Sequence, residues 1–218
     1  MPHHVDNSEA QSINWSQLYE FRKAVQKRWP TIWQVPIRKR YHQVVLEECK
    51  GITSMLEIGA GGRGFKRFLD KHYAEMNYRS FDIDRTNEHD FYSLDSITGE
   101  YDACCLFEMI EHVTPELALE TLVTAFERIK PGGKVIVSTP NIYYPPEFLR
   151  DATHITPWCY DELGAIIQHA GFESVSVYRL FQDKWYNKLL KRYLGYGLFR
   201  MLGIDFCKGI IFVGQKPV

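Results

Sequence analysis

The chain of 218 residues has no apolar run approaching the ~18 residues that a membrane span requires, so no transmembrane helix is expected. It also lacks any C-x-x-C pair. Its five cysteines (Cys49, Cys104, Cys105, Cys159 and Cys207) are odd in number, and Cys104 and Cys105 sit side by side in an apolar run, which reads as buried free thiols. Net charge is nearly absent, at −1, which removes the global basic field of a nucleic-acid-binding protein. Internal repeats and low-complexity tracts are missing as well. Met1 to Gln11 is polar and does not resemble a signal peptide, so a cytoplasmic location and a disordered lead-in over residues 1–10 are expected.

What is present is an ordinary globular composition, 45% hydrophobic and 24% charged, enough for one domain with a substantial core. Residues 14–29 and 37–50 read as two helices separated by Trp29-Pro30 and Val35-Pro36, because proline disfavours helix in the residue before it. They form an N-terminal helical extension over 1–50 whose basic residues suit a solvated face above an aromatic packing face. From residue 51 onward the chain alternates. Strands are predicted at 53–58, 78–83, 101–107, 133–139, 173–180 and 209–214, and helices at 63–74, 115–130, 159–170 and 184–201. Such alternation implies an α/β fold with a mostly parallel sheet covered on both faces, its ligand lying beyond the carboxyl ends of the strands.

Those ends are where the chemistry-bearing residues fall. The strand Ser54–Ile58 runs into Gly59-Ala60-Gly61-Gly62-Arg63-Gly64 and then into a predicted helix. Glycines at a strand-to-helix turn permit a tight bend and let a ligand lie against backbone N–H groups. The spacing Gly59, Gly61, Gly64 also fits the dinucleotide fingerprint, so a nicotinamide-dependent oxidoreductase stays open on this motif. Glu57 points elsewhere: a carboxylate two residues before the first glycine suits a cationic amino group and would repel a pyrophosphate. That favours S-adenosylmethionine. Asp82, 23 residues after Gly59, ends the next strand, where a carboxylate can accept hydrogen bonds from both ribose hydroxyls.

Glu57-x-Gly59-x-Gly61, Phe81-Asp82-Ile83-Asp84, Tyr101-Asp102-Ala103, Glu111-His112-Val113 and Lys130-Pro131-Gly132-Gly133-Lys134 together resemble the class I S-adenosylmethionine-dependent methyltransferases. Val137-Ser138-Thr139-Pro140-Asn141, His154 and Ala170-Gly171-Phe172 are similar to the branch containing the ubiquinone-biosynthesis O-methyltransferases. The resemblance covers about residues 50–180 and the closing strand 209–214. It implies a Rossmann-like three-layer sandwich with a seven-stranded sheet. It places the methionine part of the cofactor against Gly59, Ala60 and Gly61 with Glu57 near its amino group, the ribose at Asp82 beside Ile83, and Phe107 on the sulfonium side. Asp90 and Phe91 lie where such enzymes hold the adenine amino group and stack the ring, with Asp95 as a substitute for Asp90. Arg63 stands where many members carry a third glycine, and only Arg85 to His89 separates the second strand from Asp90.

Methyl transfer to a hydroxyl needs a group to take the proton, and histidine suits neutral pH. His112 and His154 are the candidates. The histidines show no ligand spacing, so no metal is expected. The expected reaction is methyl transfer from S-adenosylmethionine to a small-molecule acceptor, through oxygen rather than nitrogen. The alternatives are the oxidoreductase and a methyltransferase-like binding protein without catalysis. A helical insertion at about 181–208 carries Trp185, Leu189, Leu190, Tyr193 and Leu194 near helical spacing beside Lys184, Lys188, Lys191 and Arg192, and is expected to form a lid over the substrate pocket rather than a membrane-facing surface.

Overall fold

A computed structural model describes residues 13–38, 40–73, 75–181 and 184–218; the lead-in over 1–10 and the side chain of Trp185 lie outside the described residues. Seven strands form one sheet: β1 (Ile37–Arg38), β2 (Ser54–Ile58), β3 (Asn77–Phe81), β4 (Tyr101–Phe107), β5 (Ile129–Pro140), β6 (Glu173–Leu180) and β7 (Gly209–Gln215). Their order across the sheet is β1-β6-β7-β5-β4-β2-β3. β7 runs antiparallel to β5 and β6, and the remaining pairs are parallel.

The period-two alternation of strand side chains divides the core into two layers. Leu56, Ile58, Cys104, Leu106, Val135, Val137 and Phe212 pack with α1 (Trp15–Arg28), α4 (Pro115–Arg128) and α6 (Tyr160–His169). Met55, Ala103, Cys105, Ile136, Ile211 and Val213 face the opposite way, onto α2 (Tyr41–Glu48) and α3 (Gly64–His72). The adjacent cysteines therefore lie on opposite faces of β4, both buried and free as expected. Helix ends carry their own signals. Asn14 caps α1 by accepting from Gln17 N, and Thr114 caps α4 by accepting from Leu117 N, with Pro115 at the first helical position. Asp161 on α6, almost wholly buried, accepts hydrogen bonds from Arg22 and Gln26 of α1 and fixes that helix to the domain.

Several elements differ from expectation. β5 begins at Ile129 rather than residue 133, and a short helix, α5 (Pro145–Leu149), forms where none was predicted. Residues 37–38 are strand, not the start of a helix, and α2 begins at Tyr41. The cause is long-range: Arg179 N donates to Pro36 O and Phe181 N donates to Arg38 O, so the edge of β6 captures the segment. The insertion is three short pieces, α7 (Trp185–Leu189), a π-helical turn at Leu190–Leu194, and α8 (Tyr196–Met201), separated at Gly195 as the sequence suggests. It does not pack down as a lid. Tyr186, Leu189, Leu190, Tyr193, Leu194 and Met201 are exposed, while Tyr196 and Phe199 pack against the small cluster of Phe181, Phe206 and Cys207.

Candidate active site

β2 has β3 on one side and β4 on the other, so the chain reverses direction across the sheet there and leaves a crevice beyond the strand ends. A cavity of about 520 Å³ occupies it, within the range of small-molecule sites. Gly59 follows β2, Asp82 and Ile83 follow β3, and Glu108, Met109 and His112 follow β4 to form its walls. Tyr92, Ser93 and Leu94 close one side, and Val113, Leu117 and Thr121 add an apolar wall from α4 and the turn before it. Gly59 is required here: its φ is 77°, and a Cβ would lie 2.4 Å from the Met109 side chain. Ile83 is 80% exposed, an apolar side chain on the cavity wall with nothing yet against it.

The glycine turn differs from a bare anion cradle. Gly59 N and Ala60 N both donate to Phe81 O, and Gly61 N donates to Asp82 Oδ2 at 2.7 Å. Asp82 Oδ1 accepts from Asp84 N, which sets the carboxylate at the cavity edge. With those three N–H groups taken and the Glu57 carboxyl buried beside the turn, a pyrophosphate loses the donors on which an anion cradle depends. Arg63 itself adopts the left-handed conformation that a third glycine would serve, with φ 54°, and its guanidinium donates to Glu88 O. The Glu57 carboxyl accepts from the Tyr78 hydroxyl. Burial pushes its pKa up to about 7, opposed by the Tyr78 hydrogen bond and by Arg63.

Of the expected cofactor contacts, Gly59, Asp82 and Ile83 line this cavity. Glu57, Ala60 and Gly61 lie in the strand and turn beside it, and Phe107, Asp90 and Phe91 lie away from it. Phe107 lies on the other face of the sheet, packed on Tyr41 and Phe65, because its position in β4 shares parity with Ala103 and Cys105. The Asp90 carboxylate is engaged by Arg79, Ser80 N and Ser80 Oγ, outside the cavity. Phe91 bridges to Phe81 and packs against the core. Tyr92, Ser93 and Leu94 line that side of the cavity instead.

Beside this cavity the two candidate histidines meet, although they are 42 positions apart in the chain. Their rings lie 4.7 Å apart, edge to face. Between them sits Glu111, which sequence reasoning treated only as part of a motif. It is fully buried; Oε2 accepts from Thr139, and Oε1 has no hydrogen-bond partner. Burial first, then the nearby Glu108, raises its pKa to about 8. Glu108 has a left-handed backbone (φ 49°) and accepts from Ser138 Oγ, its carboxyl pKa also raised by burial. Strain of this kind in a cavity wall is typical of functional positions.

Residues 20–177 match the family model described as "Methyltransferase domain". The chain therefore belongs to the methyltransferase-domain family, and it is an S-adenosylmethionine-dependent methyltransferase with a Rossmann-like fold. Among solved structures it is similar to a SAM-dependent methyltransferase from Archaeoglobus fulgidus, with 18% identity, a TM-score of 0.65, and coverage of 93% of this chain and 100% of that one. An S-adenosylmethionine-dependent methyltransferase from Mesorhizobium loti gives 13% identity and a TM-score of 0.57 over 87% of this chain and 97% of that one. A protein called PigF, solved with SAH, gives 13% identity and a TM-score of 0.56 over 93% of this chain and 66% of that one. No match was found among curated protein sequences.

Proposed function

We propose that the chain methylates a hydroxyl oxygen of a small-molecule acceptor brought to the rim of the cavity at His112. One observation carries this reading: His112 lines the same cavity as Gly59, Asp82 and Ile83, so a proton-accepting group and the cofactor-type wall share one space. Asp82 takes the ribose hydroxyls, Glu57 the amino group reached past Gly59 and Gly61, and Leu94, Met109 and Leu117 enclose the adenine between apolar walls. The cofactor supplies a methyl group on a sulfonium, whose transfer is an in-line displacement governed by alignment. The protein's task is to hold the acceptor in line, exclude water with the α4 wall, and receive the hydroxyl proton. His112 at the rim would take it, with the His154 ring packed edge to face behind it at 4.7 Å.

Calorimetry with S-adenosylmethionine, its demethylated product and NAD(H), followed by an acceptor screen with methyl-labelled cofactor, tests this reading. Tight binding of the first two, with label transferred to hydroxyl compounds, is the expected result. Binding of NAD(H) alone, or transfer confined to amines, would overturn it.

A further inference from the structure

The hydrogen bonds around the two histidines fix their tautomers, and the tautomers expose an unmet requirement. His154 Nδ1 lies 2.8 Å from Phe148 O, a carbonyl that can only accept, so the ring carries its proton on Nδ1. His112 Nδ1 lies 3.2 Å from Thr153 O and 2.9 Å from Thr153 Oγ1. That hydroxyl spends its proton on Asp151 Oδ1, at 2.6 Å, and so it too accepts. In its neutral form each ring therefore presents an Nε2 lone pair, and Glu111 Oε1 lies near both, with Asp151 Oδ2 also 3.9 Å from His154 Nε2. Glu111 Oε1 is 3.9 Å from His154 Nε2 and 4.0 Å from His112 Nε2, too far for hydrogen bonds.

Three donor atoms thus lie within 4.8 Å of one another, and one of them is a buried carboxylate oxygen with no hydrogen-bond partner among the described residues. A buried oxygen left this way is costly. An ion with ~2.1 Å bonds in tetrahedral geometry holds its donors ~3.4 Å apart. The two Glu111 separations therefore close by about 0.5–0.6 Å, and the two imidazoles, within 4.8 Å of each other, draw together by side-chain rotation at the rim. The outer bonds are those that metal-binding histidines use, with Nδ1–H on a backbone carbonyl orienting the ring, and Thr139 holding the second carboxylate oxygen.

We propose that Glu111, His112 and His154 form a binding site for one divalent transition-metal ion, against the expectation from sequence spacing that no metal is held. Two imidazole nitrogens and one carboxylate oxygen suit Zn²⁺, Co²⁺, Mn²⁺ or Fe²⁺, and leave open positions. His112 is 34% exposed and faces the cavity whereas His154 is 7% exposed, so those positions open toward the acceptor side. Taken with the proposed methylation of a hydroxyl, the ion would bind the acceptor oxygen and lower its pKa. With the ion bound, His112 Nε2 serves as a ligand in place of its proton-accepting role, the proton leaves to bulk water at the open rim, and the ion is unchanged by the transfer. Only this role depends on the proposed function; the ion site stands on the side chains themselves.

The test is calorimetry of chelator-treated full-length protein with Zn²⁺ and with Mn²⁺, together with the visible absorption of added Co²⁺. One ion per chain is expected, with ligand-field bands of a four- or five-coordinate centre. Glu111→Gln keeps the shape of the buried side chain, and His112→Ala lies at the rim where folding tolerates it; each should weaken binding at least tenfold. Melting curves of both variants establish that they are folded. Absence of binding to wild type at ~1 mM of all three ions, or binding unchanged in both variants, would overturn the site. Titration of the same samples with the demethylated cofactor reports separately on the cofactor cavity, so a missing ion leaves the methyltransferase reading intact.

Discussion

Arg179 and Asp205 form a buried ion pair, with Arg179 Nη1 2.8 Å from Asp205 Oδ1, that joins β6 to the end of the insertion. Both partners make further hydrogen bonds. Arg179 Nε and Nη2 donate to Val35 O and Trp33 O, and Asn141 Nδ2 donates to Asp205 Oδ2. One guanidinium thus holds the two-residue strand β1, the insertion and the sheet together. Removing one partner of a buried pair strands the other charge, which costs about 3–5 kcal/mol. Arg179→Ala should lower the free energy of unfolding in urea by that amount, and Arg179→Met with Asp205→Leu should recover part of the loss.

Glu57 predicts the pH dependence of cofactor binding. Its carboxyl pKa stands near 7 because it is buried, above the unfolded value of about 4.3. The free folded protein therefore holds a proton that the unfolded chain releases, and Glu57 subtracts from stability as pH rises from about 4.5 through 7. A bound ammonium favours the carboxylate, so binding below pH 7 expels that proton. Affinity for S-adenosylmethionine should fall as pH drops from 7 to 5, by up to about tenfold per unit, and level off above 7.5. Calorimetry in buffers of different ionisation enthalpy should show proton release at pH 6 that is missing from Glu57→Gln.

The histidine pair predicts a separation of rate from affinity. A proton acceptor is worth roughly 10²–10⁴ in rate. His112→Ala and His154→Ala should each lower turnover on a hydroxyl acceptor by that order, with cofactor affinity unchanged within about twofold. Full activity in both variants would remove these residues from the reaction.

The sequence made β4 and β6 legible to the residue, because each is a continuous β-rich run closed by polar or glycine-containing segments. It did not show β1, since two residues become a strand only through hydrogen bonds from Arg179 and Phe181, some 140 positions away. The placement of Phe107 was readable in principle: period-two parity with Ala103 and Cys105 puts it on the α2 and α3 side. Asp90 was read as an adenine contact; that Arg79 and Ser80, eleven and ten positions earlier, engage its carboxylate is a tertiary pairing that no local pattern shows. The meeting of Glu111 with His112 and His154 depends on how the 140–158 loop folds back. Ile155 N and Thr156 N both donate to Glu111 O, a closure that no local pattern encodes.

The insertion leads to the last prediction. Leu194 and Met201 are 79% and 76% exposed, beside exposed Leu189, Leu190, Tyr193 and Leu198. From Lys184 to Ile204 the sequence has Lys184, Lys188, Lys191, Arg192 and Arg200 and no acidic residue. Apolar side chains standing in water within a purely basic segment match an interfacial surface better than a closed lid. The protein should co-sediment with vesicles containing anionic lipid and not with neutral ones, and added salt should weaken the association. Leu194→Ser combined with Met201→Ser should reduce co-sedimentation several-fold. Because neither side chain is packed, the melting temperature should move by no more than about 2 °C. A large loss of stability with no change in vesicle binding would instead show that these residues are covered in solution, as a lid requires.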